Sequence, residues 1–273
     1  MKLARRIAAV LLILAALLLI VRGAWTIGKG VDNAKEFFYG FIGKEAPPPP
    51  AEDSYSNEDG FITETKVIPV SGVETLSLEV NAAQVKLNVA GGSDIIVQAE
   101  YNEKNFIANN VFSAISANGT ATVSLKQKNL EFSLGKTLRQ SVLTITLPEK
   151  FKGSLNLDFN ACAFDGDSGN ASSITLSANA AKLELRGIAG SLTASVNACD
   201  SGFIVEESAV PITITASACA VKIQLPIQSN YKVSSTLNFG TLKNNYEKNV
   251  QRKGNETVIN ITGNAASFTV DAE

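Results

Sequence analysis

From residue 61 onward, short segments of the chain alternate apolar and polar residues with a period of two. Four of them are LNLDFNAC from Leu155, ITLSANAA from Ile174, LTASVNAC from Leu192 and ITITASAC from Ile212. Because successive side chains of a strand point to opposite faces, this alternation predicts half-buried β-strands. The abundance of β-branched residues in these segments favours strands over helices as well.

These segments are copies of one repeat. They align without gaps, a fifth copy, LSLEVNAA, begins at Leu76, and the steps between equivalent positions are 19, 18 and 20 residues. A second alternating segment follows each copy, as at 181–187 and 221–226. A bend about every ten residues and a return about every twenty predict an all-β, single-stranded parallel β-solenoid over residues 61–273. We expect ten or eleven coils, with the strands at the C-terminus capping the last open edge.

The repeat brings one polar residue of each coil to the same corner. Asparagine tolerates left-handed backbone geometry, and stacked amides can hydrogen-bond to one another along a stack of strands. We therefore expect a structural ladder at this corner, formed by Asn160, Asn179, Asn197 and Ser217.

The three cysteines also share one coil position. Cys162, Cys199 and Cys219 each lie two residues after the ladder position, where Ala83 and Ala181 occupy the other copies. Exchange of cysteine with alanine is typical of a small buried site, so we assign the three thiols a structural role. The alternatives are a disulfide between the neighbouring Cys199 and Cys219, whose parallel Cβ directions are unfavourable, and a reactive or metal-binding thiol site.

The N-terminal segment predicts an export signal. Basic residues precede an apolar run from Ile7 to Val21, and Arg22 and Trp25 follow it. Residues 1–27 are interpreted as a membrane anchor, with a cleaved signal peptide as the alternative. Residues 28–60, which include four consecutive prolines, form a juxtamembrane segment and stalk. This arrangement predicts a single-pass protein of the cell membrane with residues 28–273 outside the cytoplasm, although the flanking positive charges give only a weak bias.

Composition excludes several kinds of chemistry. The chain of 273 residues has no histidine and a net charge of −2, so it lacks both the commonest general base and a basic field for nucleic acid. Two aspartates in the segment FDGDSGN, Asp165 and Asp167, are weak candidates for calcium ligands, with Asp158 nearby. We expect no cofactor and no catalytic residue.

Two stretches, ITLPEKFKGSLNLDFNACAF and LSANAAKLELRGIAGSLTASVNACDSGFIVE, carry a family resemblance. They resemble the bacterial putative-adhesin family, a domain of unknown function related to the head domain of auto-transporter adhesins. The resemblance spans about residues 65–270, with Asn-Ala-Cys or Asn-Ala-Ala where the family often has Ser-Gly-Asp. It implies a right-handed β-solenoid, commonly tethered to a membrane outside the cell, and no catalytic residues.

Together these observations predict a non-catalytic module for binding, adhesion or the sensing of envelope stress. Its partner would be a polymer or a protein of the cell envelope, because strands lined by Ser, Thr and Asn suit polymers such as glycans. The alternatives are a β-helix enzyme acting on polysaccharides, which would need facing carboxylates on adjacent coils, and a purely structural envelope scaffold.

Overall fold

The described part of the chain is all-β. A computed structural model describes residues 61–102, 112–126, 140–246 and 256–273. Its strands are β1 (Phe61–Pro69), β2 (Thr75–Asn81), β3 (Ala83–Ala90), β4 (Asp94–Asn102), β5 (Phe112–Ala117), β6 (Thr120–Leu125), β7 (Ser141–Pro148), β8 (Ser154–Asn160), β9 (Ala163–Asp167), β10 (Ser173–Asn179), β11 (Lys182–Ile188), β12 (Ser191–Asn197), β13 (Asp200–Val205), β14 (Ile212–Ser217), β15 (Ala220–Leu225), β16 (Tyr231–Asn238), β17 (Thr241–Asn244), β18 (Thr257–Asn264) and β19 (Ser267–Ala272).

The strands form two sheets. Sheet A has the order β1-β4-β7-β3-β9-β11-β13-β15-β19-β17, and sheet B has the order β16-β18-β14-β12-β10-β8-β2-β6-β5. The chain passes from a strand of sheet B through a short corner to a strand of sheet A, and then returns to sheet B. The segments that align in the sequence are strands of these pairs, and they lie side by side in parallel register, so that Asn179 is the register partner of both Asn160 and Asn197.

The corner between paired strands is built on alanine. The residue after the ladder position has a positive φ in copy after copy, including 53° at Ala161, 51° at Ala180 and 52° at Ala198. The backbone N–H of each of these alanines donates to the carbonyl of the ladder residue in the next strand, as Ala180 does to Asn197 at 2.9 Å. The expectation that asparagine itself adopts the left-handed conformation is therefore wrong: the alanine does, and the bond it gains offsets the strain.

The inner faces of the two sheets share one hydrophobic core. Inward positions align across neighbouring strands in rows, one of which contains Leu157, Leu176, Ala194, Ile214 and Ile261, all at most 2 % exposed. Because burying a leucine or isoleucine contributes about 1.5–3 kcal/mol, each strand pair is stabilised mainly by its neighbours in the stack.

The prediction of a single parallel solenoid over residues 61–273 is wrong at the end of the stack formed by β6 and β7. Strands β1, β4 and β5 pair antiparallel with their neighbours, and within the described ranges eight strand pairs stack in parallel instead of ten or eleven coils. In space these pairs follow the order β6/β7, β2/β3, β8/β9, β10/β11, β12/β13, β14/β15, β18/β19 and β16/β17.

The C-terminal strands lie inside the stack and do not cap it. Strand β18 pairs with both β14 and β16, and β19 pairs with both β15 and β17. The penultimate pair, β16/β17, is therefore the outermost one at this end of the described stack. At the other end too, the spatial order of the strand pairs differs from their order in the chain, because β2 lies between β6 and β8.

The predicted anchor and stalk, residues 1–27 and 28–60, lie outside the described residues. Across residues 61–102, 112–126, 140–246 and 256–273, no helix has the length and apolar character needed to cross a membrane. The right-handedness that the family resemblance implies for the coils stays a prediction.

Candidate functional site

The outer face of sheet B carries an ordered array of small polar side chains. We call it the Ser/Thr/Asn face. Its outward positions on four successive strands, β10, β12, β14 and β18, hold three aligned residues each, all exposed except the half-buried Ser217. They are Thr175, Ser177 and Asn179; Thr193, Ser195 and Asn197; Thr213, Thr215 and Ser217; and Asn260, Thr262 and Asn264. Parallel strands lie about 4.8 Å apart and alternate residues about 6.6 Å apart, so hydroxyl and amide groups form a nearly rectangular lattice.

Charge is nearly absent from the centre of this face. None of the outward strand positions on β10, β12, β14 and β18 carries a charged or aromatic side chain. Charged groups occur toward its margins, where Glu79 and Asp158 are register neighbours and Lys126 contacts the Glu79 carboxylate at 2.5 Å. At the other margin Lys232 is exposed on β16.

The outer face of sheet A differs sharply in composition. Its exposed or half-exposed strand positions include Lys182, Glu184, Arg186, Asp200, Lys222 and Lys243. The Arg186 guanidinium forms ion pairs with Asp165 at 2.7 Å and Glu184 at 2.8 Å. The same repeat thus presents a charged face on one sheet and an uncharged one on the other, although general solubility would favour charge on both.

The ladder residues form the edge of the Ser/Thr/Asn face. Asn160 donates its side-chain amide to Asn81 at 3.2 Å, Asn179 donates to Asn160 at 3.1 Å, and Asn197 donates to Asn179 at 2.9 Å. Ser217 continues this row in register with Asn197. Each central amide both donates and accepts, so these side chains hold one orientation and position the edge of the lattice.

The three cysteines lie behind the corner. Cys162, Cys199 and Cys219 are buried and free, and their thiols donate to the carbonyls of Asn160, Asn197 and Ser217 at 3.3, 3.1 and 3.0 Å. Burial raises the pKa of the Cys162 thiol above its ordinary value. The structure brings Cys199 next to Cys219, while Ala181 lies between Cys162 and Cys199 in the stack.

The aspartates considered for calcium do not converge. Asp158 projects from sheet B, whereas Asp165 projects from sheet A and pairs with Arg186. The carboxylate of Asp167 accepts the backbone N–H of Gly169 at 2.8 Å, which closes a local turn. Within the described parts of the chain, no three His, Cys, Asp or Glu residues gather as metal ligands would.

Sequence reasoning underestimated two features of this site. From the sequence, no pair of carboxylates is expected in facing positions of adjacent coils, apart from the weak group of Asp158, Asp165 and Asp167. In the structure, Glu79 and Asp158 are register neighbours, as are Asp165 and Glu184. Sequence reasoning also treated Ser, Thr and Asn as strand-lining residues without assigning them to one sheet. The signal was present, because the outward positions of every copy from Leu155 to Ser217 can be read from the period-two pattern.

Among known proteins, the similar chains found are solved structures. No family model matches the chain, and no curated protein matches it. A putative cell adhesion protein from Clostridium sporogenes aligns at 16% identity and a TM-score of 0.48, covering 77% of this chain and 99% of the other. Further neighbours from bacteria are named putative adhesins.

Two further neighbours are more distant. A putative adhesin from Bacteroides fragilis aligns at 11% identity and a TM-score of 0.36, covering 77% of this chain and 97% of its own. A putative lipid binding protein from Parabacteroides distasonis aligns at 12% identity and a TM-score of 0.24, covering 76% and 96%.

Proposed function

We propose that this protein is a non-catalytic binding module that recognises a neutral, hydroxyl-rich polymer of the cell envelope through the Ser/Thr/Asn face. The observation that carries the proposal is the uncharged lattice on β10, β12, β14 and β18, in register across four strands, on a molecule whose other sheet face is charged. A polysaccharide presents hydroxyl groups at regular intervals, so one chain can form the same hydrogen bond on successive strands.

In this proposal, the affinity comes from several weak hydrogen bonds that one polymer chain forms at the same time. A single exposed hydroxyl or amide exchanges one hydrogen bond to water for one to a ligand, with a net gain of about 1 kcal/mol or less. Several such bonds to one polymer act together, because the second and later contacts form at high effective concentration. The amide ladder from Asn81 to Asn197 lowers the ordering cost, since those side chains already hold one orientation.

The same proposal places the module outside the cytoplasm. The apolar run at 7–21 and the stalk at 28–60 support a membrane-tethered domain, with residues 28–273 extracytoplasmic, that contacts the envelope around it. Adhesion to envelope polymer and the sensing of changes in that polymer would both use this face.

A retention assay with the full chain tests the proposal. The protein is electrophoresed through native gels that contain a neutral glucan, a neutral mannan, a neutral xylan or the acidic polymer polygalacturonate. We expect retardation by at least one neutral polymer, and we expect salt to leave it nearly unchanged because the central face is uncharged. Free migration in all three neutral polymers, or binding to polygalacturonate alone that salt abolishes, would contradict the proposal.

A further inference from the structure

The stack places two thiols next to one another at a single corner. Cys199 and Cys219 follow the register partners Asn197 and Ser217, and they precede the register partners Asp200 and Ala220. Neighbouring parallel strands lie about 4.8 Å apart, within the range of about 4.4–6.8 Å between Cα atoms that a disulfide accepts. Cys162 has no such neighbour, because the adjacent strand pairs provide Ala83 and Ala181 at its position.

The Cys219 sulfur contacts the backbone of the strand pair that contains Cys199, and the Cys199 sulfur leans the same way along the stack, toward the Ala178 carbonyl at 3.6 Å. The backbone N–H of Cys199 donates to Sγ of Cys219 at 3.2 Å, and the Cys219 thiol lies within 3.3 Å of the Val196 carbonyl on the preceding strand. The Cys219 sulfur is thus displaced toward the strand pair that contains Cys199. Both residues are 5% exposed and lie directly beside the exposed corner residues Ala198 and Ala218.

The two thiols of the pair also differ in pKa. The neighbouring Cys199 thiol, together with backbone N–H groups such as that of Cys199, lowers the pKa of Cys219 to about 6 despite burial. The neighbouring Cys219 thiol, together with burial, raises the pKa of Cys199. Cys219 is therefore the thiol of the pair that more readily becomes the nucleophilic thiolate.

We infer that Cys199 and Cys219 are a redox-active pair that closes into an intramolecular disulfide on exposure to a disulfide oxidant, while Cys162 stays a free thiol. The Cys219 thiolate attacks one sulfur of the oxidant, which forms a mixed disulfide and releases one thiolate. Cys199 then loses its proton and attacks the Cys219 sulfur, which releases the second thiolate. Two cysteines are oxidised, one oxidant disulfide is reduced to two thiols, and the cysteine protons pass to those thiols.

The bond would join the strand pairs β12/β13 and β14/β15, whose sheet B strands, β12 and β14, lie in the middle of the Ser/Thr/Asn face. It closes a loop from residue 199 to residue 219 and links the corner between β12 and β13 to the corner between β14 and β15. A loop of this length stabilises the native state chiefly by restricting the unfolded chain. For a domain of this size, we expect the oxidised protein to melt about 5 °C or more above the reduced protein.

Mass spectrometry of the full chain tests the inference directly. The native protein is equilibrated with oxidised glutathione, quenched with acid, alkylated under denaturing conditions and digested. We expect one alkylated cysteine, Cys162, and a peptide pair joined through Cys199 and Cys219 that is about 2 Da lighter than its reduced components. Cys162→Ala is the matched control and should form the same joined pair.

Neither Cys199→Ala nor Cys219→Ala should show an internal disulfide. Cys199→Ala should retain glutathione on Cys219 as the unresolved mixed disulfide, whereas Cys219→Ala should keep its two remaining thiols alkylatable. Both should fold, since alanine occupies the equivalent position at residues 83 and 181. Three alkylated cysteines in oxidised wild-type protein would overturn the inference, and so would a disulfide that includes Cys162 or that joins two molecules.

Discussion

At the scale of single residues, the fold depends on alanines in a conformation that alanine disfavours. A left-handed conformation costs a non-glycine residue about 1–2 kcal/mol, and corner after corner repeats it, at Ala82, Ala161, Ala180, Ala198, Ala218 and Ala265. Each of these corners donates a backbone N–H to the neighbouring strand at 2.8–2.9 Å. The continuous ladder of hydrogen bonds through the corner therefore holds the strained residues in place.

Replacing one of these corner alanines with glycine should relieve strain. For Ala198→Gly we expect the free energy of unfolding to rise by about 0.5 kcal/mol, because the relieved strain exceeds the added entropy of the unfolded chain. The matched control is Ala194→Gly in strand β12, where a buried methyl group is lost and the free energy of unfolding should fall by about 1.5 kcal/mol. Urea unfolding in the presence of reductant measures both, and an equal loss in the two variants would contradict the account.

The sequence predicted the ladder column but not its backbone. Asn160, Asn179, Asn197 and Ser217 align in register, as the repeat spacing indicated. Asparagine tolerates the left-handed conformation better than alanine does, so the sequence alone favours asparagine as the left-handed residue. In the structure the following alanine adopts that conformation, and the asparagine remains in its strand with its side chain bonded to its register neighbour, as between Asn197 and Asn179.

At the scale of strands, the order of the stack at its C-terminal end is the least expected feature. Residues 257–264 form β18, which is hydrogen-bonded on both sides, although 231–238 come earlier in the chain and form the outermost of the described strands at this end of sheet B. The chain must therefore place its last strand pair between two pairs that precede it in sequence. The pairing of β14 with β18 is therefore non-local, because it joins residues such as Ile212 and Ile259.

Hydrogen exchange distinguishes the observed order from a sequential one. Amides of β18 should exchange more slowly than those of β16, because both edges of β18 are paired, whereas β16 is terminal in sheet B. Mass spectrometry of peptic peptides from 231–238 and 257–264 measures the difference, with peptides from β12 as a fully paired reference. Slower exchange in 231–238 than in 257–264 would indicate that the stack follows the order of the sequence.

This order could not be derived from the repeat itself. Equivalent copies are nearly interchangeable in pattern, so the period of about twenty residues predicts strand pairs and their register but not which pairs are neighbours. The antiparallel pairing of β1, β4 and β5 could not be predicted from the sequence for a related reason. An alternating segment such as DIIVQAEY, within β4, is compatible with a parallel or an antiparallel partner.

At the scale of the whole molecule, one architecture supports two surfaces with different chemistry. Sheet A presents ion pairs such as Arg186 with Asp165, and sheet B presents hydroxyls and amides with charge confined to its margins. The alternation in the sequence was sufficient to predict which residues face outward, whereas assigning them to one continuous face required the register of the parallel strands.

The central claim is that ligand contact occurs on the Ser/Thr/Asn face, and a pair of matched substitutions tests it. Thr193→Arg places a long cation in the middle of this face, and Ala220→Arg places the same cation at an exposed position on sheet A. Affinity electrophoresis of each full-length variant gives its dissociation constant for the neutral polymer that retards the wild-type protein. We predict a rise of about tenfold or more for Thr193→Arg and wild-type affinity for Ala220→Arg. Equal affinity in both variants, or a loss confined to Ala220→Arg, would contradict the account.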